Sequence, residues 1–288
     1  MNSYKKLGID IGSTTVKVSI IEDGGKLLFA DYKRHFANIQ ETLADLLREG
    51  EEKLGALTVE PVITGSGGLT LSKHLGIPFV QEVVAVATSL KDYAPQTDVA
   101  IELGGEDAKI IYFTGGIDQR MNGICAGGTG SFFEDQMSRL GLKLEDYSRL
   151  VGQARSIPRL SGRCAVFAKT DIIHRQQEGV PTPDILLGLC YAMVRNYKAV
   201  IVRGLPVEKP VALCGGIGHN QGVIQAVREV FGLTEAELIL PEKFPYAGAA
   251  GAAEAAMETA TCSMGELLAS LCGGALEGGD RLCRQPAL

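Results

Sequence analysis

The residues best suited to chemistry are two single cysteines, each at the predicted start of a helix. Cys125 stands directly before the glycine-rich turn 127–130, and the apolar-periodic segment after that turn predicts a helix. Cys164 closely follows a glycine and precedes a second predicted helix, residues 165–173. The positive end of a helix dipole favours a thiolate over a thiol, and bare N–H groups there attract anions. The segment 121–133 can therefore hold both a metal-bound sulfur and a phosphate, the phosphate on Gly128, Thr129 and Gly130.

A polar turn between two predicted strands is a candidate phosphate site. The strand 7–11 carries Asp10, a Gly-Ser-Thr-Thr turn follows, and residues 16–21 alternate as a second strand. Backbone N–H groups and hydroxyls of such a turn can cradle phosphate oxygens, and Asp10 can hold Mg²⁺ through water. The alternative is an ordinary hairpin in which Asp10 caps the turn. The candidate phosphate ligands are Gly12, Ser13, Thr14, Thr15 and Lys17, although a lysine here is commonly solvent-facing.

The same pattern recurs about ninety residues later. Residues 98–103 predict a strand, the turn consists of Gly104, Gly105, Glu106 and Asp107, and residues 108–113 predict the next strand. Lys109 follows this turn as Lys17 follows the first. An internal duplication of this kind produces two like domains that face each other across a cleft. We therefore expect the two hairpins to close on one nucleotide.

A third glycine turn is a candidate adenosine site. The strand 209–214 leads through Gly215, Gly216, Ile217 and Asn220 into a predicted helix over 223–231. A chain without side chains at this turn can pass flat against a ribose and adenine. The alternative is a tight strand–helix connection without a ligand.

The elements that position these residues alternate between strand and helix, which is typical of an α/β fold. The 288 residues are 45% hydrophobic and 22% charged, as expected for a globular chain with two cores. We expect domains over residues 1–95 and 96–261, followed by a C-terminal extension over 262–288. The net charge of −6 disfavours nucleic-acid binding. Without a signal-peptide pattern or an apolar run of about 18 residues, the sequence predicts a cytoplasmic protein.

The remaining cysteines and the histidines form no metal or disulfide pattern. The seven cysteines are odd in number and lack a Cys-x-x-Cys pair. Cys190 and Cys214, in apolar segments, are expected to be buried packing thiols. The four histidines are expected at the surface or in caps, and Asp171 is expected to be a solvated helix residue. No role is assigned to Cys262, Cys272 and Cys283.

Together, the motifs resemble those of one family. In order they are Asp10-Ile-Gly-Ser-Thr-Thr, Ile101-Glu-Leu-Gly-Gly-Glu-Asp-Ala-Lys, Cys125-Ala-Gly-Gly-Thr-Gly, Cys164 and Gly215-Gly-Ile-Gly-His-Asn. Over roughly residues 5–260 the sequence is similar to the ATP-hydrolysing activators of 2-hydroxyacyl-CoA dehydratases and to the ATPase subunits of benzoyl-CoA reductase. The cysteine motifs are the specific part of this resemblance, whereas the hairpins occur throughout the actin, Hsp70 and sugar-kinase fold.

The resemblance implies two ribonuclease-H-like domains of that superfamily, with ATP or ADP and Mg²⁺ between them. It also implies a homodimer with one [4Fe–4S] cluster at its interface. A cubane cluster needs four thiolates, and a two-fold axis doubles Cys125 and Cys164 to four. The implied activity is ATP-driven, one-electron reduction of a dehydratase or reductase partner under anaerobic conditions. The implied electron source is reduced ferredoxin or flavodoxin.

Two acidic residues depart from the usual pattern of these activators. Glu102 stands where they have Asp, and Glu106 stands where they have Gln. Glu106 can orient or deprotonate the attacking water, although an unpaired charge beside a triphosphate would hinder catalysis. With Asp10, these are the candidate catalytic residues. The Cys-Ala-Gly-Gly-Thr-Gly motif, where usual members have Cys-Ala-Ala-Gly-Thr-Gly, is closer to activase domains in longer fused proteins.

Two other functions fit the same fold. A small-molecule kinase would transfer phosphate to a sugar or acid hydroxyl and would contain no iron. A nucleotide-gated binding module would hydrolyse ATP slowly and bind a protein client. Neither function requires a thiol at both helix starts, so Cys125 and Cys164 favour the activator.

Overall fold

The computed structural model describes residues 4–123, 129–143, 146–241, 246–255 and 260–273. The chain divides into two compact units. Unit 1 comprises Met1–Tyr93 and Tyr246–Leu288, and unit 2 comprises Ala94–Pro245. Each unit is built around its own five-stranded sheet.

The sheet of unit 1 begins with an antiparallel meander of β1 (Lys5–Ile11), β2 (Thr15–Ile21) and β3 (Leu27–Arg34). β4 (Thr58–Thr64) runs parallel to β1, and the short β10 (Cys262–Ser263) pairs antiparallel with β4. The strand order is β10-β4-β1-β2-β3. β1 is buried from Leu7 to Ile11, and the alternating Val16, Val18 and Ile20 of β2 are buried as the sequence predicted.

The described residues of unit 1 also form five helices. They are α1 (Ile39–Leu54), α2 (Gly68–Leu75), α3 (Glu82–Tyr93), α9 (Ala247–Glu254) and α10 (Met264–Gly273). The leucines on one face of α1 enter the same core as the apolar residues of β1, β2 and α10. α9 consists almost entirely of alanine and glycine. A Cβ atom at Gly8 would overlap the Ala249 carbonyl, so this helix lies very close to β1.

The sheet of unit 2 repeats the opening of the first. β5 (Val99–Leu103), β6 (Ala108–Tyr112) and β7 (Asp118–Met121) form an antiparallel meander. β8 (Val211–Cys214) runs parallel to β5, and β9 (Leu238–Ile239) runs parallel to β8. The strand order is β7-β6-β5-β8-β9. Each unit therefore places one strand between an antiparallel hairpin partner and a parallel crossover partner, which confirms the predicted duplication.

Most of the described helices of unit 2 lie between β7 and β8 in the sequence. They are α4 (Gly130–Arg139), α5 (Tyr147–Val151), α6 (Ala165–Gln177) and α7 (Thr182–Tyr197), and α8 (Gln221–Phe231) follows β8. α7 continues into a π turn, Lys198–Val202. Thr182–Val202 is long and apolar enough to cross a membrane, but 72% of its most apolar window is buried inside the protein. This burial is typical of a core helix, and α7 supplies much of the core of unit 2.

The compact units differ from the predicted division at the C-terminal side. Residues up to 261 were expected to join the second domain, with a separate extension after them. Instead α9 packs on β1 and α3, and β10 extends the sheet of unit 1. Helical periodicity shows which face of a helix is apolar but not which sheet covers that face. The sequence therefore could not show that the chain after residue 245 packs in unit 1.

Candidate functional site

The first candidate hairpin surrounds a buried carboxylate. Asp10 and Lys17 face each other across β1 and β2, and the Asp10 Oδ2–Lys17 Nζ distance is 2.7 Å. Asp10 is 1% exposed, and its Oδ1 atom has no hydrogen-bond partner among the described residues. A Cβ atom at Gly65 or Gly248 would crowd the Asp10 carboxylate. An unpartnered buried oxygen is costly in a folded protein, so this carboxylate is suited to a cation or its bound water.

The turn of the first hairpin is closed by its own backbone. The Gly12 N–H donates to the Thr15 carbonyl at 2.9 Å, and the His35 N–H donates to the Thr14 carbonyl at 3.1 Å. Ser13 is exposed, and Gly12, Thr14 and Thr15 are partly exposed. These bonds leave the polar tip of the turn accessible.

The second hairpin holds a related set of charges. Glu102 and Lys109 face each other across β5 and β6, as Asp10 and Lys17 do in unit 1. Lys109 Nζ lies 3.8 Å from Glu102 Oε2 and 2.9 Å from Asp107 Oδ2. Lys109 is therefore buried in an acidic cluster and does not face solvent. Asp107 was predicted as a turn residue but not as a candidate site residue, although its position in the acidic turn was a usable signal.

The start of α4 contacts the turn of the second hairpin. The Gly130 N–H donates to the Gly104 carbonyl at 3.0 Å, and the Ser131 N–H donates to the Gly105 carbonyl at 2.7 Å. The Ser131 hydroxyl donates to the same Gly105 oxygen at 2.9 Å. The second hairpin therefore meets the start of α4, where Gly130 is the last residue of the predicted glycine-rich turn. Thr129 is fully buried there, and Gly128 lies outside the described residues.

Glu106 occupies the exposed tip of the second hairpin. Its backbone carbonyl accepts from the Asn122 side-chain amide at 3.1 Å, and Asn122 Oδ1 accepts from the Ala108 N–H at 2.8 Å. Asn122 therefore fixes the turn from its place directly after β7, a role that no sequence pattern marked. The Glu106 side chain therefore extends from a turn whose backbone is held by two hydrogen bonds to Asn122.

The candidate adenosine turn is a close connection between β8 and α8. Gly215 has a φ of 89°, and a Cβ atom there would overlap the Leu103 carbonyl on β5, so only glycine fits without strain. Gly216 and Ile217 lie in a 3₁₀ turn, Gly216–His219. Asn220 Oδ1 caps α8 by accepting from the Gly222 N–H at 2.9 Å and the Val223 N–H at 3.3 Å. Gly215 and Asn220 thus have structural tasks, and Gly216 leaves an open surface.

Of the two candidate cysteines at predicted helix starts, the structure describes Cys164. Cys164 is the N-cap residue of α6, with φ −139° and ψ 135°, and is partly exposed. Cys125 lies outside the described residues. The Gln136 amide of α4 donates to the Ala165 carbonyl at 3.4 Å, so the helix that follows the Cys125 segment packs beside the residue after Cys164.

Large apolar side chains are exposed directly after Cys164. Val166 is 62% exposed and Phe167 is 65% exposed, both in the first turn of α6. Ile173, further along the helix, is 41% exposed. Apolar exposure concentrated on one helix marks a surface suited to covering by a protein.

Two carboxylates anchor the segment that leads to Cys164. Asp184 of α7 accepts from the Arg155 N–H and the Ser156 hydroxyl, both at 2.7 Å. Asp171 of α6 accepts from the Ser161 N–H at 2.7 Å. Asp171 was expected to be solvated, and this prediction was wrong because its carboxylate binds backbone.

The other thiols include two in the core of unit 2. Cys190 and Cys214 are buried, as predicted, and burial raises the pKa of both, that of Cys190 to about 12. His35 was expected at the surface or in a cap, and it is 8% exposed. Its ring hydrogen-bonds within the loop that follows β3. Among the described residues, no group of three or more His, Cys, Asp or Glu side chains forms a metal site.

Two sheets, each with a polar hairpin beside its central strand, define an actin/Hsp70/sugar-kinase-like ATPase fold. The chain belongs to the BadF/BadG/BcrA/BcrD ATPase family, whose sequence model matches residues 7–256. It is 30% identical over 260 residues to the activator of lactoyl-CoA dehydratase from Anaerotignum propionicum, covering 88% of this chain and 98% of that relative. It is 27% identical over 260 residues to the (R)-2-hydroxyglutaryl-CoA dehydratase activating ATPase of Acidaminococcus fermentans, covering 87% and 96%.

Solved structures have the same fold. Component A of the (R)-2-hydroxyglutaryl-CoA dehydratase of Acidaminococcus fermentans matches with a TM-score of 0.76 and 26% identity, covering 88% of this chain and 98% of that one. The activator of the 2-hydroxyisocaproyl-CoA dehydratase from Clostridium difficile, with bound ADPNP, matches with a TM-score of 0.75 and 23% identity, covering 88% and 94%. A ROK-family glucokinase from Streptomyces griseus has a TM-score of 0.52 at 16% identity and covers 88% and 99%. The two likenesses below 25% identity concern the fold alone.

Proposed function

We propose that this ATPase is a one-electron donor that activates a 2-hydroxyacyl-CoA dehydratase or a related CoA-thioester reductase. The observation that carries the proposal is Cys164 at the start of α6, partly exposed and followed by exposed Val166 and Phe167. A kinase of this fold needs neither a thiol at a helix start nor an apolar surface around it. An electron-transfer protein that pairs two copies at a metal centre needs both.

The cysteines fit a shared [4Fe–4S] cluster in number and kind. Thiolates are the usual ligands of such clusters, and Cys125 with Cys164 from each of two chains provides four. The N-cap position places Cys164 at the positive end of a helix, where the negative charge of a bound cluster would be stabilised. When bound, the cluster supplies one-electron transfer at low potential. The exposed apolar residues of α6 are the surface that the second chain would cover.

The hairpins support binding of ATP with Mg²⁺. We propose that each hairpin binds phosphate oxygens, through the turn Gly12–Thr15 in unit 1 and through Gly104 and Gly105, with Thr129 and Gly130, in unit 2. The unpartnered Asp10 Oδ1 supports a water-mediated role toward Mg²⁺. Asp10 neutralises only part of the positive charge of Lys17, with which it pairs at 2.7 Å. The Lys17 ammonium group would therefore still attract the same phosphates. Gly216 and Ile217 would lie against the adenosine.

The acidic residues of unit 2 have distinct proposed roles. Glu102 repeats the register position of Asp10 and lies in contact with the Lys109 ammonium group, which offsets its charge beside a phosphate. Glu106, exposed on a braced turn, is placed to orient the attacking water. Its position at the hairpin tip lets solvent screen its charge.

A short route connects the proposed phosphate site to the cysteine helices. The Gly105 carbonyl binds Ser131 at the start of α4, and Gln136 of the same helix binds the Ala165 carbonyl next to Cys164. A change at the hairpin on hydrolysis would therefore move α4 and, through it, the start of α6. Coupling of this kind requires that the ATP and ADP states favour different arrangements of these helices.

The remaining features follow from this function. The partner is a dehydratase or reductase component that receives the electron, and reduced ferredoxin or flavodoxin is the source. The protein works as a homodimer in the cytoplasm. It works under anaerobic conditions, because low-potential clusters exposed at an interface are sensitive to oxygen.

The experiment measures electron uptake and the fate of phosphate in anaerobically purified protein. We expect dithionite to deliver about one electron per two chains, as one cubane cluster requires, and MgATP to yield inorganic phosphate without a sugar acceptor. Cys164→Ser should abolish electron uptake and retain MgADP binding. Cys262→Ser, which changes a partly exposed thiol of unit 1, is the matched control and should behave as wild type. Undiminished uptake in Cys164→Ser, or phosphorylation of a sugar by a colourless protein, would overturn the proposal.

A further inference from the structure

We propose that His35 is the positioning residue of the first phosphate hairpin, an inference that rests on the proposed role of Gly12–Thr15. His35 follows β3 and is buried beside the turn. Its Nε2 atom lies 3.2 Å from the Gly12 carbonyl oxygen, and its Nδ1 atom lies 3.1 Å from the Ala37 nitrogen. One side chain thus connects the hairpin to the loop behind it.

The two contacts determine the protonation of the ring. The Ala37 N–H is a donor, so Nδ1 must accept and carries no proton. The Gly12 carbonyl is an acceptor, so Nε2 must donate and carries the proton. The neutral Nε2–H form satisfies both partners, and no other form does. His35 therefore acts as a donor toward the hairpin.

The hydrogen bond from His35 occupies the Gly12 carbonyl, which would otherwise repel an anion bound at the turn. The Gly12 carbonyl accepts from the ring, the Thr14 carbonyl accepts from the His35 N–H, and the Thr15 carbonyl accepts from the Gly12 N–H. Within the described part of the chain, the Ser13 and Thr14 N–H groups donate to no protein acceptor. Three carbonyls of the turn, those of Gly12, Thr14 and Thr15, therefore accept from protein donors, while the Ser13 and Thr14 amides are available, which is an arrangement that suits phosphate.

The loop that carries His35 is strained, which indicates that its position matters. Phe36 has φ 43° and Ala37 has φ 69°, a left-handed conformation that non-glycine residues seldom adopt. Phe36 is also 76% exposed, so burial of its ring does not compensate for the strain. The His35 side chain and the Asn38 N–H, which donates to the His35 carbonyl at 2.6 Å, hold this loop in place. Strain of this kind concentrates at functional sites.

The test uses substitutions that replace one ring nitrogen at a time. The amide of glutamine can reach the place of Nε2 and donate to Gly12, whereas the shorter asparagine can accept from Ala37 but cannot reach Gly12. We expect His35→Asn and His35→Ala to raise the Kd of MgADP about three- to tenfold, the cost of one lost hydrogen bond. His35→Gln should stay within about twofold of wild type.

The controls separate positioning from folding and from the proposed electron transfer. Ala37→Gly keeps the N–H donor and relieves the left-handed strain, so it should change the melting temperature and leave the Kd unchanged. Equal Kd values for His35→Asn and His35→Gln, or an unchanged Kd in His35→Ala, would overturn the proposal. Iron content of the same preparations tests the electron-transfer function independently, because Cys164 belongs to unit 2 and His35 to unit 1.

Discussion

Asp184 shows how one buried carboxylate can organise a long segment of backbone. It lies near the start of α7 and is 5% exposed. The Arg155 N–H and the Ser156 hydroxyl, which donate to it, hold its pKa below the usual range. These bonds anchor one end of the segment that leads to Cys164, so the carboxylate acts on the site from a distance.

The lowered pKa of Asp184 predicts a pH-dependent contribution to stability. A carboxyl group with a lower pKa in the folded state stabilises the fold above its unfolded pKa of about 3.9, and this contribution is lost as the pH falls through the folded pKa. We expect Asp184→Asn to lower the free energy of unfolding by about 1–2 kcal/mol at pH 7. The difference should shrink below pH of about 4, as measured by urea unfolding at several pH values.

Asp146→Asn is the matched control for this experiment. Asp146 is exposed and pairs with Arg149 on the surface, where an ion pair contributes little. Its unfolding curve should match that of wild type at each pH. A pH-independent effect of Asp184→Asn would show that the carboxylate charge is not what holds the segment.

For single residues, the sequence predicted burial better than it predicted hydrogen-bond partners. Cys190 and Cys214 are buried as expected, since they stand within apolar segments. His35 and Asp171 bind backbone groups that are distant in sequence or hidden in irregular loops. No periodic pattern marks such a contact, because the partner is a main-chain atom present at every position.

At the scale of elements, the packing of α9 on β1 is the tightest feature of unit 1. Gly8 lies on β1 directly under Ala249, and Gly251 lies against the Ala85 carbonyl of α3. Small residues on both sides allow the backbones to approach this closely. Helix and sheet are joined here without the larger side chains that usually separate them.

Gly8→Ala should therefore destabilise unit 1 strongly. Its methyl group would overlap the Ala249 carbonyl, and neither the strand nor the helix can move without breaking other contacts. We expect a loss of about 3 kcal/mol or more, measured by urea unfolding followed by circular dichroism. Gly265→Ala, at an open position of α10, should be neutral or slightly stabilising. An unchanged midpoint for Gly8→Ala would contradict the close packing of α9.

The elements themselves were largely predictable, and their assignment to sheets was not. Strands β1, β2, β5 and β6 and helices α6 and α8 lie close to where the sequence predicted them. The Ala-rich helix α9 was expected in the second domain, because residues 96–261 were assigned there. Its packing on unit 1 depends on Gly8 of β1 and Gly251 of α9 accepting a close neighbour, which is a property of the folded chain that no local pattern encodes.

At the scale of the whole molecule, the duplicated meander explains why two hairpins exist. Each unit repeats the meander beside a parallel strand, and each places an acidic residue opposite a lysine beside its polar turn. Between the meander and that parallel strand, unit 1 has the single helix α1, whereas unit 2 has the longer segment from α4 to α7. This longer segment carries Cys164, so the proposed electron-transfer function arises from a part of the fold in which the two units differ.

We propose that two chains share one cluster through Cys125 and Cys164. Iron and sulfide content, measured together with molecular mass in solution on protein purified without oxygen, tests this sharing. We expect a dimer with about two irons per chain, because one cubane cluster of four irons is divided between two copies. An iron-free protein, or a monomer that retains four irons, would contradict it.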